Sequence, residues 1–148
     1  MFAPMPRQSF RHTATTPATI PRVWTYLQRA EVWGDIAGAD AVSGARHGPE
    51  GDLTGFSFVA TVAGRAYRGT AAVTGNGRNH MTTTIETSEL GGVISVDLEP
   101  VEQSTAIHVA LDTHSRSFLA GLAFGAIASA IGSGFPGRID RLARLIHD

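Results

Sequence analysis

Polar and apolar positions alternate along most of the chain and then, near the C-terminus, change to a spacing of three and four. Ser9 to Thr16 places Phe10, His12 and Ala14 on one side, which predicts a first strand. Thr16-Pro17 then predicts the opening of a short helix, because threonine caps well and proline suits a first turn. Val23, Trp24 and Leu27 form its apolar side. Glu31 to Ile36 predicts a second short helix or turn, ended by Gly38. From Asp40 onward strands are expected at about 40–47, 53–63, 65–74, 79–88, 92–101 and 104–113, punctuated by glycines. Asn76-Gly77 is a strong hairpin signal. Three threonines in a row, Thr82 to Thr84, favour extended backbone through their β-branched side chains.

Alternation also assigns faces. Phe56, Phe58, Ala60 and Val62 share one side of their strand, as do Ile94, Val96 and Leu98, and Ile107, Val109 and Leu111. Asp97, Glu99, His108 and Asp112 fall opposite. One apolar and one wet face is the pattern of an antiparallel sheet covered on one side only. The cover is expected between Ser117 and about His147, roughly 45 Å of helix at 1.5 Å per residue. Its stripe is Phe124, Ile127, Ile131, Phe135, Ile139, Leu142 and Ile146. Pro136 predicts a kink or a break around Gly132–Pro136. Gly121, Gly125, Ser129 and Ser133 form a ridge of small residues expected to face the sheet, giving either close approach or unfilled volume. The predicted fold class is α+β: an antiparallel sheet of about seven strands, two short helices after the first, and a long C-terminal helix. Residues 1–8, with Pro4 and Pro6, are expected to be a loose arm, and residues 9–148 one domain.

Composition changes this picture mainly by exclusion. Hydrophobic residues make up 43% of the 148 and charged residues 17%, with a formal net charge of −1, so neither a disordered chain nor a nucleic-acid binder is expected. Cysteine is absent, and all 12 basic residues are arginine. Thiol nucleophiles, thiolate metal sites and lysine chemistry are thereby excluded. The 18 residues from Phe118 to Phe135 carry no charge, close to the minimum for a membrane span. However, six of them are glycine or serine, and the apolar stripe continues among Arg138, Asp140, Arg141 and Arg144. That continuation predicts a helix packed on a core. With no signal-peptide pattern either, a cytoplasmic protein without stable membrane insertion is expected.

The order of elements resembles the START-like superfamily, also called SRPBCC or helix-grip proteins, over about residues 9–147. The resemblance is carried by Thr16-Pro17-Ala18 leading to Val23-Trp24 and Trp33, and by the glycine-punctuated hairpins. The ending, Phe118-Leu119-Ala120-Gly121 through Ile139-Asp140-Arg141-Leu142, carries it too. Within the superfamily the chain looks most like small polyketide cyclase/dehydratase-type proteins, with a weaker similarity to subunit-G proteins associated with carbon monoxide dehydrogenase. The resemblance implies a curved sheet gripping the long helix, with a hydrophobic cavity between them.

Candidate chemistry is sparse. Of six histidines (His12, His47, His80, His108, His114 and His147), none has metal-site spacing, so no metal and no cofactor are expected. His12 alone shares a face with apolar neighbours. Tyr67, Met81 and Thr83 are expected to point inward; His12, Tyr67 and Thr83 would orient a polar group on an apolar ligand. Phe56, Phe58 and Phe118, with Leu122, are the candidate apolar wall. Asp97 with Glu99, and Glu31 with Asp35, share faces but not the setting of a buried acid/base dyad. The expected function is binding of a hydrophobic or aromatic small molecule, such as a lipid, isoprenoid or polyketide. The alternative is a cyclase or dehydratase in which His12 or Tyr67 moves a proton. A third reading, an assembly protein docking through its apolar helix face, is tied to an oligomeric state that the sequence leaves open.

Overall fold

Strands form where the alternation is clean, and in the computed structural model every strand end falls within three residues of the one the pattern gave. The structure describes residues 7–62, 64–116 and 118–147, with the side chains of residues 62, 118–128, 130 and 147 outside that description. Among the described residues the strands are β1 (Arg7–Thr16), β2 (Ala41–His47), β3 (Leu53–Val62), β4 (Arg65–Gly77), β5 (His80–Thr87), β6 (Leu90–Val101) and β7 (Ser104–Ser115). The helices are α1 (Ile20–Tyr26), α2 (Ala30–Ala37) and α3 (Phe118–His147). All seven strands join one antiparallel sheet in the order β1-β7-β6-β5-β4-β3-β2. β2 to β7 are a meander of neighbours in sequence, and β1 closes on β7. The two short helices therefore carry the chain from one sheet edge to the other. This is the expected α+β fold, a curved open sheet against a long C-terminal helix.

Two local expectations shift by a few residues. α1 opens at Thr19, whose side chain accepts from the Arg22 N–H, with Pro21 in the first turn. Thr16 remains in β1, paired with Thr105, and its hydroxyl accepts from the Ala18 N–H. The cap-and-proline chemistry is the one anticipated at Thr16-Pro17, with the cap three positions later and the proline four. The hairpin likewise turns at Arg78-Asn79, because Gly77 pairs with His80. Asn79 takes φ +58 there, the left-handed conformation that asparagine tolerates. A register shift between Val73 and Gly75 accompanies the move. Further shifts lie in β2 between Ser43 and His47. Such bulges sharpen the local twist and bend a sheet, which suits this one to wrap a helix.

α2 behaves as expected and ends on Gly38 with φ +78, a left-handed cap for which glycine carries no Cβ penalty. α3 is continuous through Pro136, so the helix is not broken there. Proline removes the donor that would reach the Gly132 carbonyl, and close by Arg138 Nη2 donates to the Ile131 carbonyl at 3.1 Å. Phe135, Ile139, Leu142 and Ile146 of the stripe are buried and Ile131 partly so; Phe124 and Ile127 have side chains outside the described residues. Of the ridge of small residues expected to face the sheet, Ser129 and Ser133 are exposed instead, while the burial of Gly121 and Gly125 lies outside the description. Close approach depends instead on Gly132, where any Cβ would overlap the Phe10 ring.

Trp33 is fully buried and donates its indole N–H to the Leu27 carbonyl at 2.7 Å, fixing the turn between α1 and α2. Thr105 donates to the Ala18 carbonyl, and the Arg22 guanidinium to that of Ile146. The first ties the segment before α1 to β7, and the second ties the C-terminal end of α3 to α1. Ile131, farther up α3, borders the site.

Candidate functional site

The inner face of the sheet is too long for the close-packed part of α3 to cover, and a cavity of about 110 Å³ remains at one end. Its sheet wall is Phe58 and Ala60 of β3, Tyr67 of β4, Ile85 of β5 and Leu111 of β7. The opposite wall is Ala37, Gly38 and Ala39, at the end of α2, together with Ile131 of α3. Thr61, Thr87, Leu90 and Thr113 complete the lining among the described residues. The strand faces explain the assembly: Phe58, Ala60, Tyr67 and Ile85 all occupy inward positions of adjacent strands, with Ala60 opposite Tyr67 and Phe58 opposite Gly69. A Cβ at Gly69 would stand 2.5 Å from the Phe58 ring, so glycine there lets the phenylalanine lie flat across the sheet.

The polar atoms of this lining are mostly committed. Thr87 Oγ1 donates to the Leu90 carbonyl and accepts from the N–H groups of Glu89 and Leu90. Thr113 donates to the Gln8 carbonyl at 2.9 Å. The Tyr67 hydroxyl makes no hydrogen bond to the described residues, while the Arg65 guanidinium lies 5.4 Å from its ring centroid. Thr61 likewise makes no hydrogen bond to the described residues, so a mainly apolar cavity with few polar atoms suits an apolar body oriented by one or two polar contacts.

The sequence-derived site residues separate into three groups. Phe58 and Tyr67 line the cavity. Phe56, Met81 and Thr83 point inward as expected but lie in the solid core beside it, each buried. Thr83 Oγ1 is fully buried without a hydrogen-bond partner, the kind of group that costs free energy unless something arrives to satisfy it. His12 is on the inner side of β1, where its Nε2 donates to Asp140 Oδ1 at 2.8 Å. β7, β6 and β5 separate its strand from that of Tyr67, so the two do not converge on one volume. The side chains of Phe118 and Leu122 lie outside the described residues.

His80 and His108 sit as the alternation placed them. His80 bonds Asp97 and Thr82, and His108 bonds Thr13, all on the outer face. Asp97, Glu99, Glu31 and Asp35 are exposed, in keeping with solvated surface groups. What the sequence reading missed was the α2 part of the opposite wall. Ala37 to Ala39 carry no chemical signal beyond a helix-ending glycine, and no periodicity says that this turn folds over Tyr67. Arg138, read only as a polar interruption of the stripe, is also half-buried here. Its Nε donates to the Ile36 carbonyl at 3.3 Å, beside the cavity wall. Burial pulls its pKa below the ordinary guanidinium value, Arg141 adds to that, and Asp35 opposes it.

No protein-family model matches the chain, and no curated protein matches it in sequence. Solved structures do match in shape. A protein from Thermus thermophilus aligns with a TM-score of 0.71 at 14% identity, covering 94% of this chain and 97% of its own. A START superfamily protein from Mycobacterium smegmatis aligns at 0.64 and 13% identity, covering 90% and 98%. An aromatase/cyclase from a Streptomyces species aligns at 0.60 and 14% identity, covering 95% of this chain and 86% of that one. Identities this low report on shape alone, and coverage near the full length of both chains makes the shared shape global. The chain has the START-like, helix-grip fold.

Proposed function

We propose that this protein binds a hydrophobic or aromatic small molecule, of lipid, isoprenoid or polyketide type, in the cavity between the sheet and α3. The observation that carries the reading is the cavity itself: walls of Phe58, Ala60, Ile85, Leu111 and Ile131, with the Tyr67 and Thr61 hydroxyls unpaired among the described residues. At about 110 Å³ it is smaller than the ~300–1,000 Å³ typical of drug-sized ligands and near the ~150 Å³ that holds a benzene. It therefore takes one ring or one chain end, with the rest of the molecule extending past Thr61 and Leu90. Burying about 150 Å² of ring at ~25 cal/mol per Å² gives about 4 kcal/mol, at best a millimolar affinity alone. Useful binding needs further contact at the mouth or a charge.

The fold likeness to an aromatase/cyclase is compatible with a guest of polyketide type. Binding is preferred to a cyclase or dehydratase reaction because His12 is engaged by Asp140 and three strands lie between its strand and that of Tyr67. Among the described residues no helix is long and apolar enough to cross a membrane. Native mass spectrometry of the purified protein, with organic extraction of the same sample, tests the proposal. A hydrophobic adduct released on denaturation is expected. A protein that carries nothing, and whose melting temperature is unmoved by naphthol or Nile red, would refute it.

A further inference from the structure

We propose that Thr82, His80 and Asp97, on the outer face of the sheet and away from the cavity, form a nucleophilic triad that accepts the acyl group of an activated ester. His80 Nδ1 lies 2.6 Å from Asp97 Oδ1, and its Nε2 lies 2.9 Å from Thr82 Oγ1. A carboxylate only accepts hydrogen bonds, so Nδ1 carries the ring proton. The lone pair of the neutral ring is then on Nε2, where it accepts from the Thr82 hydroxyl. A hydroxyl bonded to an imidazole that a carboxylate holds in this tautomer is the arrangement that activates a weak oxygen nucleophile. Register brings the three together: His80 and Asp97 are directly paired between β5 and β6, and Thr82 is the next residue of β5 on the same side.

A second hydroxyl–imidazole pair on the same face lacks the third member. Thr13 Oγ1 is 2.8 Å from His108 Nδ1, but Glu99 stands 3.9 Å from the other ring nitrogen, beyond hydrogen-bond distance. Thr82 is partly exposed, and small groups surround it. Gly75 is opposite it on β4, where a Cβ would stand 3.1 Å from Thr82 Oγ1, so glycine leaves that side of the hydroxyl uncovered. Ser95 is opposite it on β6 and makes no hydrogen bond to the described residues. Backbone N–H groups in mid-sheet are committed to the ladder, so the Ser95 hydroxyl is left to donate to a developing oxyanion. Beyond Ser95 lies Ala110, which with Asp97 lines a shallow recess of about 190 Å³, room for an aryl leaving group. As Oγ1 bonds the acyl carbon, its proton passes to Nε2. The bond to the leaving oxygen then breaks, and that oxygen departs with the proton. Water next attacks the Thr82 ester and gives its proton to Nε2, which returns it to Oγ1 as the carboxylic acid leaves.

Composition makes the test clean, because the chain has no lysine or cysteine to compete for acyl groups. The full chain is treated with p-nitrophenyl acetate, release of p-nitrophenol is followed by absorbance, and acid-quenched samples are mapped by tandem mass spectrometry. Acetyl should appear on Thr82 about tenfold faster than on Thr13 or Thr84. His80→Gln should slow that labelling about 100-fold, and Asp97→Asn about tenfold. Thr82→Val should abolish it and lower p-nitrophenol release, whereas Thr84→Val, on the same strand and face, should change neither. All these positions meet solvent, so each variant should keep the wild-type melting temperature, and lost labelling then reports on chemistry. Wild-type release by Thr82→Val, equal labelling of Thr13 and Thr82, or labelling undiminished in His80→Gln would overturn the proposal.

Discussion

The two ends of the space between the sheet and α3 are made of the same kinds of residue and behave oppositely. At the α1 end, Phe135, Ile139, Leu142 and Ile146 are buried against β1 and β7. The rings of Phe10 and Phe135 lie 6.1 Å apart, and Gly132 lets the Phe10 ring touch the helix backbone. His12 bonds Asp140 at its margin. At the α2 end the helix meets the sheet through Ile131 alone among the described side chains of the cavity, and volume remains over Tyr67 and Ala60. The difference lies in spacing, not in hydrophobicity. A helix laid across a curved sheet touches it closely at one place only, and the gap elsewhere must be filled by side chains, by another element or by a guest. Here α2 and its Gly38 turn fill it partly.

The comparison can be broken most forcefully at the packed end. Phe135→Ala removes a fully buried ring and should destabilise the protein by about 3–5 kcal/mol, read as a lower urea midpoint at unchanged slope. A loss below 1 kcal/mol would mean that this end is not close-packed. Gly132→Ala comes next, since a helix-favouring change worth about 1 kcal/mol is set against collision with Phe10. A net loss of about 1–2 kcal/mol is expected, and Phe10→Leu in the same chain should recover most of it, a coupling that a double-mutant cycle measures.

Thr83→Val is expected to act in the other direction. It keeps the shape and deletes a buried, unpartnered hydroxyl, so the ligand-free protein should gain about 1 kcal/mol in thermal or chemical unfolding. A loss would show that the hydroxyl has found a partner in solution. The smallest stability effect belongs to the hollow end. Ala60→Phe should leave the unfolding free energy within about 1 kcal/mol of wild type, because its ring enters existing space, yet abolish retention of the co-purifying guest. A large destabilisation at this position would place Ala60 in a filled core and remove the contrast between the two ends.

Much of this contrast was invisible in the chain, and particular residues show why. Alternation placed Phe58, Tyr67, Ile94 and Val109 on the inner face because a pleated strand projects successive side chains to opposite sides. That rule is local and needs no partner. It could not separate Phe58, which lines the cavity, from Phe56 two residues earlier, which lies in solid core. Both point inward, and the distinction is where α3 and α2 happen to lie above them. Likewise Gly121, Gly125, Ser129 and Ser133 promised a small face toward the sheet, but the helix is rotated so that Ser129 and Ser133 meet solvent and Gly132 makes the contact. Small size marks a possible close approach without saying toward what. Arg138 carried no sequence signal at all, since its surroundings are two carbonyls and two glycines drawn from α2 and α3.

By itself, then, the sequence determined the strands, the wet and apolar faces, the capping glycine after α2 and the long amphipathic C-terminal helix. Each depends on backbone sterics and side-chain periodicity over a few residues. It also determined by composition that neither cysteine nor lysine takes part in any site. The tertiary structure alone decided that His12 is bonded to the helix and parted from Tyr67, that the opening lies at the α2 end, and that a half-buried arginine stands beside it. These depend on how α3 is rotated and seated on a bent sheet. That seating minimises the sum of many contacts distant in sequence, so no single segment records it.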